Sequence, residues 1–102
     1  MGSLDFTETG SGPDLKTAFN SAVSEAAYEN GHGGYTGSLA EKDEVTLIDS
    51  TVRTQPEAEQ LVAQLLRDND PRISDKWGPA GALEYMTDGD GRSWLFFGYA
   101  SY

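Results

Sequence analysis

Cysteine is absent from the chain, which excludes disulfides, thiol chemistry and cysteine-ligated metal and leaves the redox compartment open. Basic residues are scarce. Seven Lys and Arg stand against seventeen Asp and Glu, a formal charge of −10 at pH 7. Phosphate affinity comes mainly from Lys and Arg, so this balance argues against direct nucleic-acid binding, and it disfavours an anionic membrane surface for the same reason. Long apolar runs are also missing: the longest is the four residues 94–97, against the ~20 that a membrane-spanning helix needs. No basic-then-apolar leader is present. The expectation is therefore a cytoplasmic protein with no membrane partner. What is present is 102 residues, enough for one domain with one modest core.

Residues 1–12 are dominated by Gly, Ser, Thr and two acids, with Leu4 and Phe6 the large apolar side chains after Met1. This composition predicts a disordered tail, and residues 13–102 a single α+β domain. Without the tail, fifteen acids still face seven bases, so the acidity belongs to the domain. Pro13 and Asp14 suit a helix start. Leu15, Ala18, Phe19, Ala22, Val23, Ala26 and Ala27 follow at helical spacing until Asn30-Gly31. An apolar stripe made mostly of alanine predicts a close approach to whatever it covers. Thr54 and Glu57 fit a capping box with Pro56 in the first turn. Ala58, Leu61, Val62, Leu65 and Leu66 form a second stripe, ended by Asp68-Asn69-Asp70-Pro71.

Strands are expected at 44–48, with 35–40 as its hairpin partner, and at 82–87 and 93–99 around Asp88-Gly89-Asp90-Gly91. The predicted order is α-β-β-α-β-β, with two helices packed on one face of a four-stranded, mostly antiparallel sheet. The phrases Gly34-Tyr35-Thr36-Gly37-Ser38-Leu39 and Gly78-Pro79-Ala80-Gly81-Ala82-Leu83 each follow a helix, and their likeness suggests an internal duplication.

Two glycine-rich stretches are candidate ligand loops. In the first, 31–37, a ligand would meet His32, Gly34 and Tyr35, with His32 as acid, base or hydrogen-bond donor. The plainer reading is a helix exit and a sharp turn. Phosphate templates fail here: Gly37 precedes Ser38 and Leu39 where a Walker loop has Gly-Lys-Ser/Thr, and the stretch follows a helix where a dinucleotide fingerprint follows a strand. In the second stretch, 75–81, Trp77 could stack on a planar ligand while Lys76 binds an anion; the plainer reading has Trp77 capping the core. Asp88 to Gly91 lacks the later ligands of a calcium loop, since positions 92 and 99 are Arg92 and Tyr99. No hydrolytic set can be assembled, so no catalytic residue, metal ligand or cofactor is expected.

The last strand carries the partner signal. Trp94, Phe96 and Gly98 point to one face of the sheet, and Leu95, Phe97 and Tyr99 to the other. A sheet with both helices on one side should alternate apolar and polar. This strand is apolar on both sides, which predicts that Trp94, Phe96, Phe97 and Tyr99 take part in an interface with a second copy or a protein partner. An acidic mimic of nucleic acid is a third reading of the charge.

On the stretches GHGGYTGSLAEK and DKWGPAGA, followed by WLFFGYAS, the sequence resembles small proteins of bacteriophages and prophages, over residues 16–101. That resemblance implies a small intracellular accessory protein acting on a host process, and it supplies no site residue. The expected function is non-enzymatic, through a protein–protein interface; the alternative is a small-ligand or nucleotide binder using loops 31–37 and 76–81.

Overall fold

The computed structural model describes residues 3–30, 37–89 and 91–101. In chain order the elements are β1 (Ser3–Gly12), α1 (Leu15–Asn30), a 3-10 turn (Leu39–Glu41), β2 (Val45–Leu47), α2 (Gln55–Arg67), β3 (Ala80–Tyr85) and β4 (Arg92–Ser101). They form an α+β fold with two helices and one four-stranded sheet in the spatial order β1-β4-β3-β2.

Local chemistry sets α2 where the capping signal places it. The Thr54 side chain accepts from the Glu57 N–H while Glu57 reaches back to the Thr54 N–H, with Pro at the start of the helix. The helix stops at Asn69, which takes φ 57°, and the Asp70 N–H closes on the Leu65 carbonyl. The alanine stripe of α1 lies against β1. A methyl group added at Gly10 would sit 2.7 Å from a Phe96 ring carbon and 2.8 Å from the Ala18 carbonyl oxygen, so the helix approaches the strand as closely as glycine and alanine permit.

The structure corrects four expectations. Residues 3–12 are not a tail. They form β1, paired antiparallel with β4 from Ser3↔Ser101 to Gly12↔Arg92. The physical reason is a period-2 pattern beneath the polar composition: Phe6 is buried, while Asp5, Thr7, Thr9 and Ser11 on the opposite face are exposed. Second, the part of 35–40 that is described holds no strand, because Leu39–Glu41 is a 3-10 turn capped by the Ser38 side chain. Third, β2 therefore has no hairpin partner and pairs parallel with β3, with α2 as the crossover. β4 is antiparallel to both its neighbours.

The fourth correction bears most on function. The helices cover opposite faces of the sheet. Phe6, Ala80, Ala82, Trp94, Phe96 and Ala100 pack with Ala18, Phe19, Ala22 and Ala26 of α1. Leu83, Leu95, Phe97 and Ile73 pack with Ala58 and Val62 of α2, joined by the partly buried Tyr99. Because β4 is central and covered on both sides, it is apolar on both sides, as buried strands are.

Candidate interaction site

Three of the four residues expected to form an interface on β4 are not on a surface. Trp94 is 1% exposed, and Phe96 and Phe97 are 0% exposed. They are core residues of the two layers, so they contribute no contact surface. Tyr99 is half-buried, and its hydroxyl donates to the Leu66 carbonyl, tying β4 to the end of α2. Of the residues proposed for a ligand, His32, Gly34 and Tyr35 lie outside the described residues. Trp77 is 66% exposed instead of capping the core. The Lys76 ammonium lies 5.5 Å from its ring centre, and the Trp77 backbone N–H donates to the Asp75 carboxylate.

The loop that carries Trp77 is anchored by a residue that sequence reading missed. Lys42 is 3% exposed. Its ammonium donates to the carbonyl oxygens of Gly78 (2.9 Å), Lys76 (3.1 Å) and Asp75 (3.4 Å). Burial pushes the Lys42 pKa down, and the nearby Asp75 opposes that shift. A small cavity of about 190 Å³ lies beside this loop, lined by Glu41, Asp43, Glu44, Trp77 and Gly78. Among the described residues, no group of three or more His, Asp or Glu could hold a metal ion.

The open part of the sheet is β1. It is an edge strand of ten residues, and among the described residues nothing pairs with its outer edge. The other edge, β2, is three residues long. The Ser11 and Ser93 hydroxyls share a 2.6 Å hydrogen bond across the β1–β4 ladder.

Both flanks of the edge are acidic. On the α1 face, Glu8 projects beside α1, and its pKa is raised by burial first and then by the charges of Glu29 and Glu25. On the α2 face, a groove of about 680 Å³ runs between β1 and α2, lined by Asp5, Thr7, Glu59, Val62, Ala63, Leu66, Arg67 and Tyr99. It exists because α2 lies over β3 and β4 and leaves β1 bare. A helix about 10 Å wide covers only two strands spaced about 4.8 Å apart. The signal available in the sequence was the alternation of Asp5, Thr7, Thr9 and Ser11 against Leu4, Phe6 and Glu8.

Comparison of the chain with family models, with curated proteins and with solved structures found no match. Among the described residues, no helix is long and apolar enough to cross a membrane.

Proposed function

We propose that this chain is a small, acidic, non-enzymatic protein that works through a protein–protein interface, and that the interface is the outer edge of β1. The observation that supports this reading is the ten-residue edge strand, whose outer side has no backbone partner among the described residues. Such an edge is a template for an added strand, in which main-chain hydrogen bonds supply affinity and alternate side-chain positions supply specificity. The groove between β1 and α2 offers Val62, Ala63, Leu66 and Tyr99 to side chains of the added strand on that face. The test is selection of short peptides from a random library on the intact protein, followed by amide hydrogen exchange of the protein with each selected peptide. Protection of amides in 3–12 is expected. A library that yields no binder, or binders that leave β1 amides unprotected, would overturn the reading.

The small-ligand reading keeps one observation in its favour, the exposure of Trp77 beside the cavity at Glu41, Asp43 and Glu44. In the same experiment it would show as protection confined to the loop 75–78.

A further inference from the structure

We infer that the segment accepted by β1 is a basic extended peptide from another protein, with cationic side chains alternating to both faces of the sheet; this rests on the edge-docking reading above. Around the strand, Asp5 and Glu59 lie on one side and Glu8, Glu25 and Glu29 on the other, against a single guanidinium, Arg67, in the groove. The only base on α1 is Lys16, in its first turn, at the Gly12 end of β1, away from these carboxylates. Successive side chains of an added strand point to opposite faces. A strand laid along β1 would therefore send alternate residues toward Glu8, Glu25 and Glu29, and the intervening ones toward Asp5 and Glu59.

The same charges disfavour a second copy of the chain as the occupant. Two copies joined edge to edge in antiparallel fashion are related by a two-fold axis perpendicular to the sheet, which keeps each face on its own side. Residues of equal parity must then oppose one another. The longest such register without opposed carboxylates centres on Thr7 and sets Phe6 of each copy against Glu8 of the other. The two Glu8 side chains become diagonal neighbours, about 7–8 Å apart. Each brings its own Glu25 and Glu29 with it, so six carboxylates would converge on one face without a counter-charge. Centring on Glu8 is worse, because Glu8 then opposes itself. A basic segment meets the reverse situation: five carboxylates against the single Arg67 give its charges a net complementary surround, and the acidic flanks draw it in from a distance.

The experiment uses the full chain and three synthetic ten-residue peptides in one Thr/Val background, with lysine, with serine or with glutamate at the same four positions, two on each face. Binding is measured by calorimetry in about 50 mM and about 500 mM NaCl, where screening separates charge attraction from backbone pairing. Amide exchange locates each complex. The lysine peptide is expected to bind at least ~10-fold tighter than the serine peptide at low salt, to lose most of that advantage at high salt, and to protect β1 amides. Glu8→Gln combined with Asp5→Asn should bring the lysine peptide within about threefold of the serine peptide, in line with the small worth of each exposed charge pair. Equal binding of the lysine and serine peptides at β1 would overturn the charge inference and leave edge docking standing. Binding of none of the three would overturn both. Lysine-peptide binding that leaves β1 amides unprotected, or a chain that self-associates through β1, would overturn the inference in favour of another site or of self-pairing.

Discussion

Lys42 is the one buried charge among the described residues, and it shows how a single side chain holds a loop that lacks secondary structure. Its three acceptors are the backbone carbonyls of Asp75, Lys76 and Gly78. Lys42→Met keeps the stem and removes the donors, leaving carbonyl oxygens unsatisfied. The expected loss is about 1.5–3 kcal/mol, read from urea unfolding, with altered acrylamide quenching of the exposed Trp77. Nothing in the run Glu41-Lys42-Asp43-Glu44 marks this lysine. Its acceptors lie more than thirty residues away, so only tertiary packing reveals it. Glu8 carries a second residue-scale expectation. Its folded pKa lies above the usual 4.5, so between those two values the folded state holds a proton that the unfolded state has released. Stability therefore grows as the pH falls from neutral through that window. Asp49, Asp70 and Glu84 behave oppositely. Arg53, Arg72 and Arg92 donate to them and hold their pKa values below the usual range, and their contribution is lost as the pH falls through those lower values. Stability should peak on the acid side of neutral and decline below about pH 4. In Glu8→Gln the gain between pH 7 and pH 4.5 should shrink, as urea midpoints at the two pH values will show.

At the scale of elements, the helices were the most legible part of the sequence, because their caps and stripes are local. The Thr54–Glu57 box and the Asn69 stop act within a few residues and do not depend on the rest of the chain. Strands depended on partners far away, and there the reading of pattern by composition failed. Gly, Ser and Thr made 3–12 look unstructured, although its alternation is that of a strand. In the described part of the stretch expected to be a strand, 37–40, the chain enters a 3-10 turn, and β2 pairs parallel with β3. The two Gly-containing phrases that look alike also lead to different structures: Ser38-Leu39 enters the 3-10 turn, whereas Gly81-Ala82-Leu83 lies within β3. The double-sided apolar pattern of β4 was legible, but its cause was not. A helix on each face explains it within one chain. Phe96 and Phe97 consequently have the same fate under mutation. Phe96→Asp and Phe97→Asp should each unfold the domain, since an unpaired carboxylate in either layer costs several kcal/mol, comparable to the stability of a small domain. Circular dichroism and size exclusion on both variants check this; a folded Phe97→Asp would mean that α2 does not seal its face.

For the molecule as a whole, β1 is both an edge of the sheet and the neighbour that covers one side of the central strand. Removing residues 1–12 would be harmless for a tail. Here it takes Phe6 out of the α1 layer and strips β4 of one of its two antiparallel neighbours. The truncated chain is expected to lose cooperative unfolding and to aggregate through the bared β4 edge. Thermal melts and light scattering beside the full chain will show it, and an unchanged melting curve would contradict the pairing. The same pairing governs how the domain comes into being. β1 meets β4 across sequence separations of 80 residues at Gly12↔Arg92 and 98 at Ser3↔Ser101. On a ribosome adding about 5–20 residues per second, β1 therefore waits roughly 4–20 s for its partner. Through that interval the α1 layer lacks the Trp94 and Phe96 against which it packs. Completion of this sheet therefore waits on the synthesis of β4, and until β4 emerges β1 lacks the strand against which its inner edge pairs.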